Sequence, residues 1–327
     1  MTPFSRAIRI GITVIILTPL NLALLAPRRS YWGAEDTRGI AHDSREDNQR
    51  ASTPPQSLPT QKDPARKSQA GSLGKHKEKP HLAVRSKIAV VEDADTSQVL
   101  LAKKADKVVP IASITKLMTA MVVLDANLPL SEMLTISKAD RDLVKGTYSR
   151  LRPGWSLSRE DMLHLALMAS ENRAASALSR YYPGGQPAFI AAMNAKAAKL
   201  GMTSTHFVSP NGLTSENVSS AFDLVKLARA AYEYPLIREF STDEKYAVRI
   251  GRHTLRFGNS NRLVGRPDWD IELQKTGFIN ESGDCLLMWA TMRGRSLIMV
   301  FLDAYGRLTR FADARRVRRQ LGLTQVK

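Results

Sequence analysis

Three short patterns in this chain combine residue types that could do chemistry together: Ser113-Ile114-Thr115-Lys116, Ser170-Glu171-Asn172 and Lys275-Thr276-Gly277. In the first, a hydroxyl precedes an amine by three residues. On a helix that spacing stacks both groups on one face, a turn apart. Lys116 is the only charged residue between Ile111 and Leu124. An amine stripped of water in such a setting loses its proton more readily and acts as a base. A neutral lysine beside a serine can take the hydroxyl proton and release a nucleophile. At a helix start, the backbone N–H of Ser113 also faces an incoming oxyanion.

In the second pattern, Ser170 and Asn172 are two apart between two apolar helical stretches. On an extended loop they would face the same way, with Glu171 turned aside. Ser170 could relay a proton to a leaving amine, and the Asn172 amide could bond a substrate backbone. In the third, Lys275 offers a positive charge to a substrate carboxylate and, by like-charge repulsion, helps keep Lys116 neutral. Thr276 adds a hydroxyl. Gly277, lacking a side chain, lets a ligand approach the strand, and the N–H of Phe278 is a second oxyanion donor. Each pattern alone has a plainer explanation: a capping serine with a snorkelling lysine, a helix cap, an edge lysine before a bulge. In this order they supply a nucleophile, a base, a relay and an electrostatic clamp, the set needed to acylate a serine with an amide carbonyl.

The elements that must position these groups can be read from periodicity and punctuation. Strands are expected at Lys87–Glu92 and Gln98–Ala102, and helices at Ser113–Asp125, Ser158–Ala169, Pro187–Leu200 and Ser219–Tyr232. Ser158 is the cap of the second helix, with Glu160 and Asp161 in its first turn. Strands at Ile271–Ile279, Asp284–Met292 and Ser296–Leu302 follow, joined by tight turns, and then a helix over Thr309–Leu321. Strands at both ends and helices between them, without βαβ repeats, imply an α+β fold: an antiparallel sheet flanked by helices, with a helical insert. The motifs then fall at the seam between sheet and insert, where clefts form.

The chain has 327 residues and a formal net charge of +17. Residues 1–27 begin with Arg6 and Arg9 before an apolar run from Ile10 to Ala26, which reads as a signal peptide or an N-terminal anchor. Residues 28–83 are rich in Pro, Ser and Lys and too poor in aliphatic residues to bury a core; a disordered basic tether is expected there. Residues 84–327 form the folded domain, itself at +11 by its Lys, Arg, Asp and Glu. With an export signal, such a surface suits an anionic wall polymer or membrane. No nucleic-acid module is present, so nucleic acid is not expected as a partner. The single cysteine, Cys285, excludes an intramolecular disulfide and sits in an apolar run, as a core thiol does. No histidine or cysteine cluster has metal-ligand spacing, and no cofactor is implied.

The three patterns together are those of class A β-lactamases and penicillin-binding proteins. The chain resembles the serine D-alanyl-D-alanine peptidases, the low-molecular-mass penicillin-binding proteins, through residues 112–125, 165–172, Pro210-Asn211-Gly212-Leu213 and 275–283. Within that family it is most similar to the endopeptidase branch. The resemblance implies a β-lactamase/transpeptidase-like fold without an extra C-terminal β domain, and a hydrolase of the periplasm or cell envelope. It implies Ser113 as acyl-ester nucleophile, Lys116 as proton acceptor, Ser170 as relay and Lys275 as substrate-binding residue. Its partners would be peptidoglycan stem peptides and their cross-links, with β-lactam antibiotics as covalent inhibitors and contact with the membrane through the N-terminus. A carboxypeptidase removing a terminal D-Ala is the alternative. A class A β-lactamase would need a carboxylate to activate the deacylating water, and Lys199–Leu213 holds none; Glu216 comes later. A non-catalytic wall-binding module would have no need of a desolvated lysine. Arg293 or Arg295 is a candidate reader of the far side of a cross-link.

Overall fold

The structure, a computed structural model, describes residues 82–323. The signal and the tether up to residue 81 lie outside the described residues. In chain order the strands and helices are β1 (Ile88–Asp93), β2 (Val99–Lys103), β3 (Val109–Pro110), α1 (Thr115–Asp125), β4 (Met133–Thr135), β5 (Ser156–Ser158), α2 (Arg159–Met168), α3 (Asn172–Arg180) and α4 (Gly185–Lys199). They continue with β6 (Val218–Ser219), α5 (Ala221–Tyr232), α6 (Pro235–Thr242), β7 (Lys245–Ile250), β8 (His253–Gly258), β9 (Asp270–Ile279), β10 (Gly283–Met292), β11 (Arg295–Ala304) and α7 (Thr309–Gln320).

One five-stranded antiparallel sheet, in the order β2-β1-β11-β10-β9, carries the fold. The last three strands form a meander, and β1 pairs with β11, so strands from the two ends of the domain meet. Strands β1, β10 and β11 carry continuous apolar runs because both faces are covered. Ile88, Val90, Leu287, Ile298 and Val300 face the large core shared with α1, α2 and α5. Their neighbours Ala89, Val91, Leu286, Met299 and Phe301 face the opposite core, closed by Phe311, Ala314 and Val317 of α7. Leu82 is buried in that second core, and the Ala83 N–H reaches the Gln320 side chain, so the folded unit already includes these two residues.

The helical insert runs between β2 and β9. Helix α1 is buried on every side, Lys116 included, as its charge-poor sequence requires. Ser158 caps α2 through the Asp161 N–H, as expected, and Ser220 caps α5 in the same way. Helix α4 starts at Gly185, two residues before Pro187. The α6 helix, opened by Pro235, and the β7–β8 hairpin occupy a stretch to which the sequence reading gave no element. Among the described residues no helix is long and apolar enough to cross a membrane.

Candidate active site

Ser113 lies in a 3-10 turn, Ala112–Ile114, immediately before α1. Ala112 adopts φ +47°, a conformation that costs an L-residue energy and is held in place only by dense surroundings. Two glycines supply that density. A Cβ on Gly212 would lie 2.0 Å from the Ala112 carbonyl oxygen, and one on Gly277 would lie 3.0 Å from the Ile111 oxygen and 3.2 Å from the Ser113 nitrogen. Gly277 was expected to admit a ligand. Its first neighbour is the serine turn itself, which packs closely against the edge strand β9.

The Lys116 Nζ is 2.7 Å from the Ser113 Oγ, 2.7 Å from Asn172 Oδ1 and 2.7 Å from the Asn211 carbonyl oxygen. Two of these partners can only accept. A neutral amine has two N–H donors and one lone pair, so it can satisfy Asn172 and Asn211 by donation and take the Ser113 O–H on the lone pair. Burial favours that form: it lowers the Lys116 pKa from 10.5 to about 7, against a smaller opposing pull from the Glu171 charge. Glu171 does not hydrogen-bond the motif side chains. It caps α3 through the Arg173 N–H and stays almost fully buried.

The second motif is not an extended loop. Ser170 takes the left-handed conformation, φ +61°, at the end of α2, and Asn172 is the first residue of α3. This kink separates the two side chains. Asn172 goes to Lys116, while the Ser170 Oγ accepts from Lys275 Nζ at 2.9 Å. The other end of the Asn172 amide donates to Thr147 Oγ1 at 3.0 Å.

Lys275 is fully buried and also donates to the Thr276 carbonyl at 3.0 Å. Burial first, and then the charges of Lys116 and Arg310, push its pKa well below the usual lysine range. The expected permanent charge is therefore not what its surroundings favour; an arriving anion would restore it. The repulsion between the two lysines is felt chiefly by Lys275, while burial alone accounts for the lowering at Lys116. Thr276 donates to Ser260 at 2.7 Å. Phe278 sits on β9, an edge of the sheet whose outer N–H and C=O groups have no strand partner, and its ring is half exposed.

Sequence reasoning missed Asn211 and Thr147. Asn211 acts through a backbone carbonyl, for which the Pro210-Asn211-Gly212 turn is the sole signal; Thr119 holds the preceding carbonyl at 2.6 Å. Arg293 and Arg295 are a correction. They lie at the β10–β11 turn, next to Asp270 in register, roughly 20 Å along the strands from Lys275. Arg295 pairs with Asp93 at 2.8 Å and Arg293 bonds the Gly322 carbonyl. Antiparallel pairing sends that turn away from the motif and brings the Asn280–Ser282 turn near it instead.

Glu216 is exposed, and its one described contact is a backbone bond to Thr214. Among the described residues, no carboxylate hydrogen-bonds Ser113, Lys116, Ser170 or Lys275.

A family model described as D-alanyl-D-alanine carboxypeptidase, of peptidase family S11, matches residues 74–306. The chain belongs to that family. Its D-Ala-D-Ala peptidases are hydrolases, and this chain is an enzyme of that kind. A D-alanyl-D-alanine endopeptidase of Pseudomonas aeruginosa is 51% identical over 240 residues, covering 73% of this chain and 77% of the relative. One from Escherichia coli is 50% identical over 237 residues, covering 72% and 76%. The Streptomyces K15 DD-transpeptidase superposes with a TM-score of 0.68 at 28% identity, over 73% of this chain and 97% of its own. Penicillin-binding protein D2 of Listeria monocytogenes, solved with cefotaxime bound, gives 0.66 at 29%, over 74% and 98%. The β-lactamase/transpeptidase-like α+β fold expected from the sequence is thus the fold of this family member.

Proposed function

We propose that this family member is an exported serine endopeptidase that cuts D-alanyl cross-links between peptidoglycan stem peptides. The observation that carries the reading is Lys116 Nζ, buried, 2.7 Å from the Ser113 hydroxyl and bonded to no carboxylate. In the neutral form Lys116 takes the Ser113 proton as Oγ bonds to the D-Ala carbonyl carbon. The N–H groups of Ser113 and Phe278 hold the oxyanion. Lys275 and Thr276 bind the carboxylate beside the scissile bond, and Asn172 keeps Lys116 aimed. As the tetrahedral carbon collapses, the C–N bond breaks and the amine takes a proton. Lys116 now carries that proton, and Ser170, linked to Lys275, is the relay. Water then releases the acyl group and returns Ser113 to its hydroxyl.

A penicillin would acylate Ser113 in the same way. With Glu216 exposed and, among the described residues, no carboxylate hydrogen-bonded to the motif side chains, nothing activates a deacylating water and the penicilloyl ester persists. The deciding assay is intact-mass analysis with benzylpenicillin. The reading expects a lasting adduct on the wild type and none on Ser113→Ala; rapid catalytic clearance of the drug would favour a lactamase. The family's own description favours a second reading, a carboxypeptidase. Digestion of a purified cross-linked dimer beside a pentapeptide monomer separates the two: the endopeptidase reading requires the dimer to be the better substrate. Export, and any membrane contact, rest on Arg6, Arg9 and the apolar run Ile10–Ala26; cell fractionation and the mass of the mature chain test them.

A further inference from the structure

The segment 141–150, between the turn at Lys138–Asp140 and the strand β5, has no regular secondary structure but is fastened at both ends and in the middle. The Asp142 carboxylate gathers the N–H groups of Val144, Lys145 and Thr147 at 2.8–2.9 Å. Thr147 holds the Asn172 amide, one bond away from Lys116. Arg150 donates to the Arg256 carbonyl at 2.7 Å and stacks 3.9 Å over Phe257 of the β7–β8 hairpin. Lys145 forms an ion pair with Glu281 in the turn after β9. The segment is therefore a strap that starts in the helical insert and is tied across to the sheet at the Phe278 end.

Its side chains are unlike the rest of the surface. Leu143, Val144 and Tyr148 are 89%, 69% and 87% exposed, three large apolar groups on ten residues, with half-exposed Phe278 nearby in sequence to Glu281. Beside the strap is a cleft of about 240 Å³ whose lining includes Leu143, Val144 and Asn211, the carbonyl partner of Lys116. Solvent-exposed apolar groups beside a cleft that shares Asn211 with the reactive lysine have an occupant available in the substrate.

The orientation of that occupant follows from the site. A carboxylate beside Lys275 and Thr276 puts the leaving amine at that end of β9. The acyl arm then runs the other way, past Phe278 toward Glu281. Gly277 to Ile279 runs roughly 7 Å as strand, the length of two peptide residues, before the turn that carries Glu281. Resting on the endopeptidase reading above, we propose that the strap is the wall that recognises the acyl-donor arm of the stem peptide. The Lys145–Glu281 pair is the positioning pair that ties this wall to the turn after β9. A donor with one acyl residue stops short of the pair; a donor of three or more residues lies along it.

The experiment compares two donors ending in D-Ala-D-Ala, one with a single acylated residue and one with a full stem-length arm, and takes the ratio of their kcat/KM values. Lys145→Met and Glu281→Gln each lower the long-to-short ratio about three- to fivefold, the scale of a partly exposed ion pair, through KM rather than kcat. The charge swap, Lys145→Glu with Glu281→Lys, restores the ratio. A ratio unmoved by either single substitution, or one that the swap leaves depressed, overturns the proposal. Acylation by benzylpenicillin is measured on the same samples. Its absence in the wild type refutes the serine–lysine reading, which is a separate failure from an unmoved ratio.

Discussion

Buried charge is handled in opposite ways on the α7 face of the central sheet and at the seam that holds the two motif lysines. On the α7 face each buried charged group meets its counterpart. Arg310 pairs with Asp284 and also donates to the Gly277 carbonyl at 3.0 Å. Asp313 accepts from the N–H groups of Arg85 and Ser86, from the Ser86 hydroxyl and from Arg316. At the seam, Lys116 and Lys275 are as deeply buried as any group in the molecule and are met by hydroxyls, an amide and carbonyls alone. A paired charge keeps its proton state and braces the fold. An unpaired one is driven toward neutrality, which is costly for stability and useful for proton transfer.

Substitution should separate the two regions. Lys116→Met lowers acylation by penicillin roughly 10³-fold, within the range of a lost general base, without lowering the unfolding free energy. Arg310→Met does the reverse: it strands the Asp284 carboxylate and costs about 3–5 kcal/mol in urea unfolding, while the acylation rate falls far less. A Lys116→Met protein that unfolds as easily as Arg310→Met would erase the distinction between the regions.

The pH dependence sharpens the same contrast. With Lys116 at about 7, the acylation rate climbs through pH 7 as the amine loses its proton and levels off above it. Stability moves with it. The unfolded lysine holds its proton up to its ordinary value near 10.5, whereas the folded one gives it up near 7. Between those values the unfolded chain binds more protons, so wild-type stability rises with pH across the window, and the buried lysine's cost is greatest below it. In Lys116→Met that slope is shallower, and its stability advantage over wild type shrinks as pH rises from 7 toward 10. Urea titrations at pH 6, 8 and 9.5 measure both curves.

Smaller effects mark the border of the active region. Thr147→Val frees the far end of the Asn172 amide, leaves Lys116 less well aimed, and lowers kcat about tenfold with little change in the melting temperature. Lys87→Ala, which removes the exposed pair with Asp303 at 3.1 Å, changes stability by less than about 1 kcal/mol and leaves acylation untouched.

What the sequence made legible was local. The charge-free run around Lys116 announced a buried lysine, Ser158 announced a helix start, and the two polar turns between apolar runs announced the meander. The sheet's two-sided burial was written in its unbroken apolar strands. What was hidden depends on distance along the chain. The Asn211 carbonyl carries no side-chain signature. Lys145 and Glu281 are unremarkable surface residues until the fold sets them face to face. Ser170 and Asn172 looked like neighbours on one face of a loop, but the left-handed turn at Ser170 sends them to different lysines. Arg293 and Arg295 were misplaced for a similar reason: the next turn along the meander lies at the opposite end of the strands.

The state of one nitrogen underlies this whole contrast, and nuclear magnetic resonance can observe it. With lysine labelled at Cε and Nζ, the Lys116 signal is assigned by its disappearance in Lys116→Met and followed from pH 5 to pH 11. The account predicts a midpoint near 7. A midpoint at 10 or above, with Lys116 charged wherever the enzyme is active, would contradict it.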